Sequence, residues 1–370
     1  MNKKRLLSQI NPKPGISSIE PYKGGNHNFS NANLINLASN ESFVGPSPKV
    51  VKSLNNSSYS INRYPDGSTF LLRQAISERY NLDVDKIVCG CGSDELIDIL
   101  VRSFSGPSDE VLFSQYGFLM YSIAAKSNGA IPIAAPEYNL KTDVHSILSS
   151  ISNQTKVILI ANPNNPTGSY LNKIELELLC REIPKNILLV IDSAYAEFVT
   201  DDDYDSGISF VNKFDNVVMT RTFSKLYGLA SLRLGWSYSS KYIAEIMDKV
   251  RQPFNVNSLA QIAGIEALGD FDHENFIVKK NKENLIKLKN GIESLGFEVM
   301  PSVANFVLVK FKNFSYSASM YDYLISKKVL VRKVTAYGLP DYLRITVGKI
   351  EEINLLLQSM QEFKNVYNEK

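Results

Sequence analysis

The sequence predicts an α/β fold: a mostly parallel large-domain sheet with helices on its faces, then a smaller α+β C-terminal domain. Three observations carry this. Apolar runs such as Val157-Ile158-Leu159-Ile160 and Ile187-Leu188-Leu189-Val190-Ile191 have the length and continuity of strands buried on both faces. Segments of helical spacing stand between them. Each run stops at a polar group on its carboxyl side, where ligands bind in doubly wound sheets. At 370 residues the chain also exceeds one ordinary core. We divide it into an N-terminal arm (1–35), a large domain (36–254) and a small C-terminal domain (255–370).

Composition narrows the function classes. Apolar residues are 44% and charged residues 21%, the balance of a soluble globular chain. A net charge of +2 gives no general field for nucleic acid or an anionic membrane. No apolar run is long enough to span a bilayer, and the basic start lacks the apolar core of a signal peptide, so a cytoplasmic location is expected. Cys89, Cys91 and Cys180 form no CxxC pair and fit reduced thiols. His27, His145 and His273 are scattered, so no metal site is expected.

Taken in order, the first 35 residues are rich in Pro, Gly, Asn and Ser and read as an extended arm. Leu34–Ala38 is a short strand closed by Ser39-Asn40-Glu41, and Pro46-Ser47-Pro48 opens a helix. Arg63-Tyr64-Pro65-Asp66-Gly67 is a turn, after which Ser68 is placed to cap a helix with Phe70, Leu71, Ala75 and Ile76 on its apolar face. Lys86–Glu95 runs strand, glycine turn, helix start. Two readings stand there: an ordinary helix capped by Ser93, or free N–H groups waiting for an anion. The strand Glu110–Phe113 exits at Tyr116, and a further strand lies near Ile131-Pro132-Ile133.

The next strand exits into Asn162-Pro163-Asn164-Asn165-Pro166-Thr167-Gly168, whose Asn-Pro steps hold Asn165 in a rigid loop. After a helix around Ile174–Cys180, the strand at 186–191 ends in Asp192-Ser193-Ala194-Tyr195. A carboxylate ending an apolar strand is costly unless paired. The run Val217-Val218-Met219 leads into Thr220-Arg221-Thr222-Phe223-Ser224-Lys225, where hydroxyls and cations make an anion cradle closed by a lysine, with Arg233 eight residues on. A lysine held by an apolar wall loses its proton more easily and becomes a nucleophile. In the last third, Arg332 follows Val329-Leu330-Val331, and Arg344 stands inside Tyr342–Val347. A guanidinium so placed is the usual clamp for carboxylate or phosphate.

These groups suit one flat, phosphorylated, aldehyde-bearing aromatic. Ser93, Ser224 and Arg233 would take its phosphate, Tyr116 would stack on the ring, Lys225 would form an imine, and Asp192 would keep a ring nitrogen protonated.

The chain resembles the fold-type-I PLP-dependent aminotransferases. The matching motifs are Glu20-Pro21-Tyr22, Ser39-Asn40-Glu41, Arg63–Gly67, Gly92-Ser93-Asp94-Glu95, Asn164–Gly168, Asp192–Tyr195, Thr222–Lys225 with Arg233, and Leu343–Gly348, in family order. The resemblance is closest to members that act on histidinol phosphate. It implies pyridoxal 5′-phosphate as cofactor and glutamate/2-oxoglutarate as the second substrate pair. Lys225 would be the catalytic lysine that moves a proton between substrate and cofactor, Asp192 would pair with the ring nitrogen, and Asn165 and Tyr195 would bond the phenolic oxygen. Ser93, Asp94, Thr222, Ser224 and Arg233 would surround the phosphate. Tyr64 would reach the cofactor phosphate of a second subunit, which implies a homodimer. Arg344 would hold the α-carboxylate, while Tyr22 and Arg332 would meet the phosphate of histidinol phosphate. The chain departs from the family at Ser193, where many members carry an acidic residue. Three alternatives stay open: an aromatic or dual-specificity aminotransferase, a decarboxylase of a phosphorylated amino acid, and a non-catalytic binding protein.

Overall fold

A computed structural model describes residues 12–21, 34–56 and 62–368, and Tyr22 lies outside them. The first half contains β1 (Ile35–Asn36), α1 (Pro48–Asn56), α2 (Phe70–Tyr80), β2 (Ile87–Gly90), α3 (Ser93–Phe104), β3 (Glu110–Ser114), α4 (Met120–Ser127) and β4 (Ile131–Ala135). A small hairpin, β5 (Glu137–Tyr138) and β6 (Lys141–Thr142), precedes α5 (Val144–Ser149), β7 (Thr155–Ala161), α6 (Lys173–Glu182), β8 (Leu188–Asp192), α7 (Ile208–Val211) and β9 (Val217–Thr222). Then come β10 (Gly235–Tyr238), α8 (Lys241–Val250), α9 (Ser258–Leu268) and α10 (Phe271–Ser294). The chain ends with β11 (Glu298–Val299), β12 (Phe306–Lys310), α11 (Phe314–Ser326), β13 (Val329–Leu330), β14 (Arg332–Lys333), β15 (Tyr342–Thr346) and α12 (Ile350–Asn368). None of the described helices is long and apolar enough to cross a membrane.

The central sheet has seven strands in the order β2-β10-β9-β8-β7-β3-β4. All neighbours are parallel except β10, which runs antiparallel to both β2 and β9. The sequence reading did not mark β10, a four-residue strand too short to show alternation. Why the other strands read as continuous apolar runs is plain from their two faces. On β8, Leu189 and Ile191 enter one core, while Leu188 and Val190 enter another across the sheet.

Two helix starts differ from expectation. Asp66, not Ser68, caps α2: its Oδ2 accepts the Phe70 N–H at 2.8 Å, and its Oδ1 accepts the Ser68 N–H at 2.9 Å. A carboxylate two residues earlier reaches further into the first turn than a serine. At α3, Gly92 holds the cap position at φ 81°, with no side-chain cap, and Ser93 is the first helical residue.

The C-terminal region forms a four-stranded antiparallel sheet, β11-β12-β15-β14, over a third core that includes Leu288, Ile292, Val307, Ile345 and Leu356. The cores do not change over at 254/255. Ala260 and Ala263 of α9 pack in the first core, and so does Ile277 of α10, whereas Leu288 and Ile292 of α10 lie in the third. A 24-residue helix is about 36 Å long, enough to span both. Nor does residue 36 begin the large domain. The β1 strand pairs in parallel with β13, and Leu37 packs in the third core.

Strand alternation also corrects the cradle. Arg221 points away from Thr220 and Thr222. Its Nη1 donates to Glu197 Oε1 at 3.3 Å, and its guanidinium lies over the rings of Tyr80 (4.9 Å) and Trp236 (5.8 Å). Both partners are buried. Removing one leaves a buried charge unpaired. We expect Glu197→Ala to cost about 3–5 kcal/mol in urea unfolding, and a Glu197→Ala/Arg221→Met pair to recover much of that loss.

Candidate active site

The carboxyl ends of β7, β8 and β9, the start of α3, and strands β14 and β15 enclose one cavity of about 280 Å³. Ser93, Asp94, Asn165, Asp192, Tyr195, Thr222, Ser224, Lys225, Arg233, Arg332 and Arg344 all line it.

One end is built for an anion. The start of α3 lines it through Ser93 and Asp94, and the first N–H groups of a helix have no intrahelical partner. Arg233 sits beside it: Nη1 donates to Ser224 Oγ at 3.3 Å, and Nη2 to Asp94 Oδ2 at 3.1 Å. A Cβ on Gly92 would lie 2.6 Å from Arg233 Nη2, so a glycine is what lets the guanidinium approach the helix start. The Ser224 N–H donates to Thr222 Oγ1 at 3.1 Å, which ties the end of β9 to the turn carrying Lys225.

In the middle stand a buried acid and a buried amine. Asp192 Oδ2 accepts from the Tyr121 hydroxyl at 2.9 Å, and Oδ1 from Thr220 at 3.4 Å. Burial pushes its carboxyl up to about 6 despite those bonds. Lys225 Nζ donates to the Ser39 carbonyl at 3.0 Å. Burial first, and the positive Arg344 second, push the amine down to about 8, so an appreciable fraction is unprotonated near neutrality. Burial raises the Tyr195 phenol, so it keeps its proton.

At the far end Arg344 is buried within β15. Its Nη2 donates to the Ala38 carbonyl at 2.7 Å, and its Nη1 to Asn165 Oδ1. Because a guanidinium only donates, the Asn165 oxygen faces Arg344 and its NH₂ is left for the cavity. Arg332 of β14 stands directly opposite Arg344 on the neighbouring strand, half-buried.

Not every expected residue arrives. Tyr116 packs against the group of Val334, Tyr337 and Leu339, and its N–H donates to Glu137 Oε1 at 3.1 Å. It does not line the cavity, and Phe118 does. The strand exit offered two aromatics, and the turn at Gly117, whose N–H bonds Ser114 O at 2.7 Å, decides which one faces inward. Tyr64 is 80% exposed, stacked on Phe254 at 4.5 Å, and outside the cavity. Ser193 is buried, with its hydroxyl donating to Ser206 O at 2.6 Å, so its side chain is engaged away from Asp192. Sequence reasoning also missed Tyr121, Asn40 and the carbonyls of Ala38 and Ser39; Tyr121 recurs three residues after Phe118, a spacing that was visible.

The donor set fits a flat, phosphorylated aromatic aldehyde. An anion cradle that a Cβ at Gly92 would fill, an amine of lowered basicity and a buried carboxylate share one cavity. The carboxylate has a cost. Its folded value lies above the ordinary 3.8, so the stability it lends is present below that value and is lost as pH rises through about 6. We expect Asp192→Asn to stabilise the cofactor-free protein by about 1–3 kcal/mol at pH 8, with the gain vanishing near pH 4, as read by urea unfolding at both pH values.

Comparison with known proteins agrees with this geometry. The aminotransferase class I and II family matches residues 32–360. The histidinol-phosphate aminotransferase of Rhodospirillum centenum is 47% identical over 347 residues, 92% of this chain and 96% of that protein. The one from Paramagnetospirillum magneticum is 46% identical over 95% of this chain and 98% of that protein. Among solved structures, histidinol-phosphate aminotransferase from Sinorhizobium meliloti in complex with pyridoxal-5′-phosphate superposes with a TM-score of 0.91 at 25% identity, covering 98% of this chain and 100% of that one. The chain belongs to the class I and II aminotransferases, in their histidinol-phosphate aminotransferase branch.

Proposed function

We propose that this chain moves an amino group between histidinol phosphate and 2-oxoglutarate, giving imidazole-acetol phosphate and glutamate, a step of histidine biosynthesis. The observation that carries the reading is the arginine pair. Arg332 and Arg344 are cross-strand neighbours that both line the cavity holding Lys225. Two guanidinium groups on one wall of the cavity suit two anionic groups of the substrates. One cavity must take a carboxylate in one half-reaction and a phosphate monoester in the other. Arg344, fixed by Asn165 and Ala38, suits the carboxylate. Arg332, nearer the rim and half-buried, suits the phosphate.

When bound, pyridoxal phosphate supplies an aldehyde carbon that takes the amino group and a ring that accepts the electrons of a broken Cα–H bond. The chain does the rest. The start of α3, Ser93, Ser224 and Arg233, which share the cavity, would hold the phosphate, with Thr222 shaping the wall. Asp94 accepts from Arg233 and aims it. Asp192 keeps a proton on the ring nitrogen, a pairing that favours its ionised form. Asn165 and Tyr195 would bond the phenolic oxygen, and Phe118 would cover the ring. Lys225 takes and returns the proton at the substrate Cα.

We further propose a homodimer working in the cytoplasm. Tyr64, Phe70 and Leu71 are large and exposed, which suits a subunit interface through which Tyr64 reaches the partner's cofactor phosphate. The free thiols suit a reducing compartment.

Half-reactions test the substrate assignment. Histidinol phosphate, phenylalanine and glutamate are added separately to the loaded enzyme, and loss of the bound-cofactor absorbance is followed. Histidinol phosphate should react far faster than phenylalanine, and parity would make this an aromatic aminotransferase. Arg332→Ala should lower kcat/KM for histidinol phosphate by roughly 10²-fold and leave glutamate within a few-fold. Lys225→Ala should cost about 10⁴-fold or more. In cofactor-free protein, the rate of pyridoxal phosphate capture should rise with pH and level off above about 8, as Lys225 deprotonates.

A further inference from the structure

Each residue of the tripeptide Ala38-Ser39-Asn40 bonds a different group of the site. The Ala38 carbonyl accepts from Arg344 Nη2 at 2.7 Å, and the Ser39 carbonyl from Lys225 Nζ at 3.0 Å. Asn40 Nδ2 donates to Tyr195 Oη at 2.9 Å. Asn40 is 1% exposed and sits at φ 54°, a left-handed region that asparagine tolerates better than most residues.

Its side chain is oriented from behind. The Asn40 N–H donates to Thr346 Oγ1 at 3.0 Å, the Thr346 hydroxyl donates to Asn40 Oδ1 at 3.0 Å, and Asn305 Nδ2 donates to the Asn40 carbonyl at 3.0 Å. A threonine hydroxyl has one proton. The structure gives that proton to Oδ1, and the amide's NH₂ is turned toward Tyr195. An NH₂ group can only donate. Tyr195 therefore has no acceptor on that side, and its own proton is left to point elsewhere.

We propose that Asn40 is a positioning residue: by occupying the Tyr195 oxygen as a donor, it directs the phenol proton into the cavity, at the phenolic oxygen of the bound cofactor. The proposal rests on the reading above that Tyr195 faces that oxygen. A donor aimed at an oxyanion lowers its affinity for protons. Asn40 thus acts, through Tyr195, on the pH at which the bound cofactor changes absorbance.

The test is a spectrophotometric pH titration of the loaded enzyme, without substrate. Wild type, Tyr195→Phe, Asn40→Asp, the double variant and Thr346→Val are compared. Asn40→Asp keeps the size and still accepts from Thr346, but it offers Tyr195 an acceptor and draws the proton away. Tyr195→Phe and Asn40→Asp should each raise the midpoint by about one unit, and the double variant should rise no further than Tyr195→Phe. Thr346→Val adds no charge and releases the amide to flip, so it should raise the midpoint by about half a unit. Thermal unfolding of each cofactor-free protein identifies variants that fold. If Asn40→Asp moves the midpoint equally with and without the Tyr195 hydroxyl, its charge alone is acting, and the proposal fails. An unmoved midpoint in a folded Thr346→Val also overturns it. If Tyr195→Phe leaves the midpoint unchanged, the reading of Tyr195 falls, and this proposal with it.

Discussion

Arg344 is the joint of this structure. It sits on β15 of the C-terminal sheet, bonds a loop residue of the large domain, Asn165, and a carbonyl of the N-terminal segment, Ala38. A buried guanidinium is very costly without acceptors on its fork. Two of its nitrogens have them, while Nε has none. Segments far apart in sequence are therefore held together by the need to satisfy one cation. The same bonds orient the Asn165 amide, and the positive charge adds to burial in lowering the basicity of Lys225. Domain joint and electrostatic neighbour are one side chain.

Burial does the electrostatic work. It raises the carboxyl of Asp192 and lowers the amine of Lys225, both toward neutrality and for one reason: each charged form loses water. Arg221 and Glu197, on the opposite side of β9, show the other solution to the same problem, a charge pair closed by ring faces.

How much of this was legible depended on whether the signal was local. The parallel strands could be read because both their faces are apolar, and the cavity's polar groups because each ends such a strand. Tyr116 was misplaced because two aromatics share one strand exit, and only the turn at Gly117 separates them. Arg221 was misplaced because a cluster of cations reads as one cradle until the pleat sends alternate residues to opposite faces. The core boundary was misplaced because α10 is amphipathic along its whole length and serves two cores in turn.

The order of residues alone pointed to the fold class and to the lysine, the acid, the hydroxyls and the arginines that share the cavity, since most of them stand after an apolar run or inside one. Only the tertiary structure decided what joins them. The pairing of β1 with β13 brings Ala38, Ser39 and Asn40 to Arg344, Lys225 and Tyr195, across as many as 306 residues of chain. No periodicity records such contacts. They arise because buried donors and acceptors must find partners wherever packing places them.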